Sequence, residues 1–144
     1  GFMINPPIAL YYMQGLNTTP LHGHAALFGV YGMLGIGLML VCLRVLIPGR
    51  EWKDGLLRFS FWSLNVGLMA MCVLSLLPVG LMQTWASVEY GYWYARSSEF
   101  MQSDLLQTLR WMRVPGDTIF FAGAVALVIF VAGLKTGQSF KKLP

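Results

Sequence analysis

His22 and His24 are the only imidazoles in the chain of 144 residues. They stand one glycine apart in "NTTPLHGHAALFG", residues 17–29, at the head of a long apolar run. Successive positions of a regular α-helix turn by about 100°, so residues i and i+2 point to roughly opposite sides. The pair therefore cannot close on a single metal ion. A zinc site on one helical face calls for a spacing of three or four and for further Cys or His ligands, and the chain holds no other histidine. The spacing offers two separate ligands, one on each side of one helix. Imidazole is a common axial ligand of haem iron, and a flat macrocycle on each side needs small neighbours such as Gly23, Ala25 and Ala26. The competing reading makes both histidines interfacial groups or hydrogen-bond partners of neighbouring helices. Spacing alone leaves both open.

The elements that must carry this pair are apolar. Hydrophobic residues make up 56% of the chain and charged ones 11%, with a mean hydropathy of +0.61, outside the range of a soluble domain. Runs nearly free of charge cover 23–43, 59–83 and 118–134, each long enough or nearly so to cross a hydrocarbon core about 30 Å thick. A shorter stretch, 1–13, is broken by Asn5, Pro6 and Pro7 and reads as the end of another span. No charged n-region or small-residue cleavage site precedes it, so no signal peptide is expected. The chain reads as one all-α integral membrane segment: the end of a span at 1–13, the His-bearing span at 20–47, a span with an interfacial extension at 56–96, an interfacial helix and last span at 99–136, and a tail at 137–144.

Charge gives the orientation. Arg44, Arg50, Lys53 and Arg58 follow the His-bearing run, and Lys135, Lys141 and Lys142 follow the last one. Two crossings separate these clusters, so both fall on one side, the cytoplasm by the positive-inside rule. The net charge of +4 is thus a topology signal, with a lipid bilayer as partner and no nucleic acid. The connection at 84–117 mixes Arg96, Arg110 and Arg113 with Glu89, Glu99, Asp104 and Asp117 and is rich in Trp and Tyr, as suits headgroup depth on the outer side. The histidines then lie in the membrane near its outer surface.

Other features take plainer readings. Gly29, Gly32 and Gly35, three apart, allow close approach of a helix or a flat ligand. Cys42 and Cys72 read as small buried hydrophobes, and Met13, Met33, Met39, Met69, Met71 and Met82 as core packing. Asn5 and Asn65 read as helix-to-helix hydrogen-bonding groups, Glu89 and Glu99 as solvated charges.

The stretch "GFMINPPIALYYMQGLNTTPLHGHAALFGVYGMLGIGLMLVCLR", with His-Gly-His-Ala-Ala set between Tyr-Tyr and Gly-Val-Tyr-Gly, resembles the nitric oxide reductases of the haem-copper oxidase superfamily, most closely the quinol-dependent branch. The likeness continues through "RWMRVPGDTIFFAGAVALVIFVAGLK". It implies the carboxy-terminal helices of a haem-copper-oxidase-like bundle, hence the carboxy-terminal portion of a longer catalytic subunit in a bacterial inner membrane, with the carboxy terminus cytoplasmic. By that resemblance His22 is the axial ligand of the high-spin haem b and His24 an axial ligand of the low-spin haem b. The non-haem iron of such enzymes takes its ligands from outside this chain, and so does the second ligand of the low-spin haem. The implied reaction couples two nitric oxide molecules to nitrous oxide and water with electrons from quinol; this segment alone is not expected to perform it. The implied partners are the rest of the subunit, quinol and nitric oxide, with a homodimer left open.

The resemblance also places the haem propionates near Arg110 and Arg113, whose planar forks suit carboxylates; headgroup anchoring is the alternative. Asp117, after Pro115 and Gly116, reads as a helix-start residue or, by the resemblance, as a quinol-pocket carboxylate that accepts a proton. Within the superfamily, a cytochrome c-dependent nitric oxide reductase or a cbb-type oxygen reductase is the second enzyme reading. A non-catalytic helical scaffold subunit is the reading from another class.

Overall fold

The computed structural model describes residues 4–141. A short helix, α1 (Pro7–Met13), starts with proline in its first turn, where the missing N–H costs nothing. The chain turns at Gly15, whose φ of +76° suits glycine, and enters α2 (Thr18–Gly23), a π-helical stretch His24–Gly32 and α3 (Met33–Leu46). These form one helix, Thr18–Leu46. The second long helix, Asp54–Tyr90, joins α4 (Asp54–Met71) through a π-turn at Cys72–Leu76 to α5 (Leu77–Tyr90). Pro78 accounts for that turn: its ring lacks an N–H and crowds the carbonyl four residues back. Gly91, at φ +94°, ends the helix. A 3-10 turn Tyr94–Arg96, α6 (Ser98–Met101) and α7 (Asp104–Trp111) lead into α8 (Arg113–Thr136).

The described residues are all helical apart from turns and one isolated bridge, and three helices are long and apolar enough to cross a membrane. Their bounds refine the sequence expectation. The His-bearing helix runs from 18 to 46 rather than 20 to 47, and the second long helix ends at Tyr90 rather than running on to 96, because Gly91 breaks it, while most of the aromatic connection beyond is helical in short pieces.

The tightest packing joins α4 to α8 through small residues. A Cβ on Gly67 would lie 2.6 Å from the Phe120 backbone nitrogen, one on Gly116 2.7 Å from that of Met71, and one on Gly123 2.9 Å from that of Leu64. Ser60 and Ser63 are buried along the same seam. By contrast, no residue of the π-helical stretch or of α3 is buried. Of the glycines at 29, 32 and 35, only Gly29 meets another helix, at Leu68. Gly32 is covered by Phe28 of its own helix, and Gly35 faces open space. Contact with the α4–α8 pair also runs through the Phe28 and Phe120 rings, whose centroids are 4.7 Å apart, and through Leu40 and Leu43, which pack against the Phe130–Leu134 cluster. Leu27, Tyr31, Leu34, Leu38, Val41 and Val45 leave a continuous exposed apolar stripe at helical spacing.

Several minor readings are corrected. Cys42 is exposed and Cys72 only partly buried. Of the methionines taken as core, Met71 is buried while Met39 and Met69 are exposed. Asn65 donates to the Phe61 carbonyl of its own helix, 2.8 Å away, rather than to a neighbour.

The basic end of the bundle is strapped. Trp52 and Phe140 form an antiparallel bridge, the Lys53 N–H donates to the Ser139 carbonyl at 2.8 Å, and the Lys141 N–H donates to that of Glu51 at 2.9 Å. Arg44 stacks over Trp52 and Arg50 over Phe140, at 5.0 and 4.0 Å from the ring centroids. The segment after the His-bearing helix and the tail after α8 therefore lie at one end, as their shared charge requires.

Candidate functional site

The site is built at the junction where α2 gives way to the π-helical stretch. The Nδ1 of His24 lies 2.7 Å from the Pro20 carbonyl oxygen, one turn back. A carbonyl only accepts, so Nδ1 carries the proton and Nε2 the lone pair. The lone pair has its own partner: Arg113 Nη2, a pure donor, lies 3.2 Å from Nε2. The two contacts fix one neutral tautomer and the ring's orientation. Pro20 supports this locally, since its carbonyl also receives the His24 backbone N–H.

Arg113 opens α8 and turns its Nε to Asp117, 3.1 Å from each carboxylate oxygen. The result is a polar line, Pro20–His24–Arg113–Asp117, running between two long helices. It corrects the helix-start reading of Asp117. The helix begins at Arg113, so Asp117 sits one turn inside it and serves the arginine rather than free N–H groups. The spacing of four residues gives the pair its reach.

Beside this line lies a pocket of about 450 Å³ lined by Arg110, Arg113, Asp117, Asn17, Gln107 and Ser75 among others. Arg110 lies in the last turn of α7 and Arg113 begins α8, so the break between the two helices turns both guanidinium groups into one cavity. Two cations against one carboxylate leave the pocket net positive, suited to an anion such as a carboxylate. The fold thus joins His24, Arg113 and Asp117 by contact and adds Arg110 through the pocket. His22, half-buried, stands outside that line.

The donor set of His24 fits an axial haem ligand. Metal-binding imidazoles characteristically donate the second ring N–H to a backbone carbonyl or carboxylate, which fixes the tautomer and raises ligand basicity. The Nδ1–H to Pro20 does this, and Nε2 is the atom that would coordinate, with the iron taking the place of its 3.2 Å contact with Arg113 Nη2. A Cβ added to Gly23 would meet nothing within 4 Å, so the space beside the pair is open. The wider π-turn begins at His24, and such turns recur at functional sites. Among the described residues no three His, Cys, Asp or Glu groups converge on a metal position.

Four contributors carry no clear mark in the sequence: Asn17, Ser75, Gln107 and Gln83. Gln83 is 4% exposed and receives the Asn17 N–H on its Oε1 at 2.8 Å. It alone has a signal that could have found it, a primary amide at the edge of an apolar run. The others are ordinary polar residues, Ser75 within an apolar run and Asn17 and Gln107 in mixed segments, and only tertiary placement marks them.

Residues 1–119 match the family described as Cytochrome C and Quinol oxidase polypeptide I. Among curated proteins, a nitric oxide reductase subunit of Stutzerimonas stutzeri is 28% identical over 130 residues, which is 87% of this chain and 27% of that protein. The chain thus spans about a quarter of the length of that relative.

Proposed function

The chain belongs to the cytochrome c and quinol oxidase polypeptide I family, and from that premise we propose that it is part of a membrane-bound nitric oxide reductase. The reaction is 2 NO + 2 e⁻ + 2 H⁺ → N₂O + H₂O, with quinol as the electron donor. Haem-copper oxidase membership supports an oxidoreductase that works with haem, and the similarity to a nitric oxide reductase subunit narrows the acceptor. The observation that carries the reading is His24, with Nδ1 committed to Pro20 and the lone pair placed on Nε2, where a metal would take over the position Arg113 Nη2 now fills.

In this reading His22 holds the high-spin haem b and His24 the low-spin haem b, with the non-haem iron and the second low-spin ligand held by other parts of the protein. The haem irons, when bound, supply the electron transfer. This chain's own residues do the positioning. Pro20 keeps the His24 ring in one tautomer. Arg113, held by Asp117, presents its remaining N–H groups beside the ring, and with Arg110 it forms a positive pocket for propionate carboxylates. Asp117 borders that same pocket and is the group proposed to accept a quinol proton. The apolar helices exclude water and let a small neutral substrate enter from the bilayer. The basic end faces the cytoplasm of a bacterial inner membrane in this reading, and the histidines lie near the opposite surface.

A second reading of the donor follows from the relative's designation as a subunit: electrons then arrive through a partner, such as a cytochrome c, instead of from quinol. The test is substitution in the full-length protein. His22→Ala should remove the high-spin haem spectrum alone and His24→Ala the low-spin spectrum alone. Unchanged spectra in both would sink the assignment. Turnover with quinol in the absence of any cytochrome separates the two donors.

A further inference from the structure

Gln83 is the most heavily used polar side chain in the interior. Its amide is divided between three elements: Oε1 accepts the Asn17 N–H at 2.8 Å, while Nε2 donates to the Ala95 carbonyl at 3.2 Å and lies 3.1 Å from the Met101 sulfur. Beside it, Gly80 lets α5 meet the chain just where the His-bearing helix begins. A Cβ there would lie 2.8 Å from the Thr18 backbone nitrogen, and Thr18 itself is 3% exposed. The start of that helix is therefore docked on α5 by one close approach and one partly buried hydrogen bond, whereas nothing in its π-helical stretch or α3 is buried.

The docking point leads directly to the imidazole. The Asn17 carbonyl receives the Leu21 N–H at 3.1 Å and so sets the first turn. Pro20 lies in that turn, and its carbonyl holds His24 Nδ1. We propose that Gln83 is a positioning residue: through Asn17 and the first turn of α2 it fixes the height and rotation of the His24 ring plane. It touches neither ligand atom nor pocket. The inference rests on the reading of His24 as a ligand of the low-spin haem, because the ring plane matters functionally only there.

The experiment uses the full-length protein with Gln83→Met, close in volume and without an amide, and Gln83→Glu. A neutral glutamic acid keeps one acceptor for Asn17 and one donor for Ala95, and burial favours that neutral form. The readouts are the EPR g-values of the ferric low-spin haem, which follow the orientation of its axial imidazoles, the rate of haem loss, and amide exchange over 17–24. Gln83→Met should shift the g-values, speed haem loss by about tenfold, the lower end for lost support of a metal ligand, and speed exchange of the Asn17 amide. Gln83→Glu should restore all three. Asn17→Pro deletes the donating N–H at a φ of −64°, which proline adopts, and its ring carbon displaces the Gln83 amide from that position without altering the α5 sequence; it should reproduce the g-shift even if Gln83→Met fails to fold. Wild-type g-values and exchange in Gln83→Met or Asn17→Pro overturn the inference and leave the ligand assignment standing. A parent protein without any low-spin haem signal overturns the assignment itself.

Discussion

Arg113 Nη2 lies 3.2 Å from His24 Nε2, so the residue that opens the last span holds the residue that opens the π-helical stretch. The contact crosses 89 positions of sequence. It makes one arginine answer for two helices and for the side chain that faces it from its own helix, Asp117.

Arg113→Met tests whether that link is structural or functional. The Arg113–Asp117 pair is 36% and 47% exposed, so its loss should cost less than about 1 kcal/mol of stability. On the proposed function, thermal unfolding in detergent should therefore move little, while the low-spin haem spectrum of the full-length protein changes, because the pocket beside the ring loses a cation for the propionates. A large fall in stability with an unaltered spectrum would make the contact a packing feature.

Asp117→Asn keeps an acceptor for Arg113 and removes the charge. Haem content should stay at the wild-type level and quinol oxidation should slow, by about 10²-fold if the carboxylate takes a proton in the rate-limiting step. Normal turnover with quinol would confine Asp117 to holding Arg113.

How far the sequence could be read follows from which physical signals are local. Hydrophobic run length is local, and each of the three apolar runs falls inside one of the three long helices. Charge is summed over whole segments, and it puts 44–58 and the tail at one end, where the Trp52–Phe140 bridge is found. The rotation of a helix about its own axis is not local. Gly29, Gly32 and Gly35 have the spacing of a contact stripe, yet the close approach occurs at Gly67, Gly116 and Gly123, because the partner's shape decides which small residues are used. Asp117 shows a local signal that misled. Pro115 and Gly116 resemble a helix boundary, but proline is tolerated in a first turn, and the i,i+4 relation to Arg113 was the stronger clue.

The strap at the basic end should depend on pH. A side-chain hydrogen bond from Lys141, and then its charge, hold the Glu51 carboxyl below its ordinary range, and the same contact raises the Lys141 ammonium. A lowered carboxylate contributes fully above its unfolded pKa and loses the contribution as pH falls through the folded value. A raised ammonium contributes fully below its unfolded pKa and loses the contribution as pH rises through the folded value. Amide exchange at Lys141, whose N–H donates to the Glu51 carbonyl, should thus be most protected between those limits and should open at the acid end. Lys141→Gln should flatten the acid limb; an acid limb that survives the substitution would place the titration elsewhere.

The glycines sort by what a methyl group would meet. Gly67→Ala puts Cβ 2.6 Å from the Phe120 nitrogen and Gly123→Ala puts it 2.9 Å from that of Leu64, and neither backbone atom can swing aside as a side-chain end can. The helices must separate, which costs about 1–3 kcal/mol for an overpacked contact, and the displacement carries α8 and with it Arg113. Gly35→Ala meets nothing within 4 Å and gains up to about 1 kcal/mol of helix propensity. The measurement is the unfolding midpoint of each purified variant in one detergent. Lower midpoints for Gly67→Ala and Gly123→Ala with an unchanged or higher one for Gly35→Ala are expected. Equal midpoints across all three would show that α4 and α8 do not meet through these glycines.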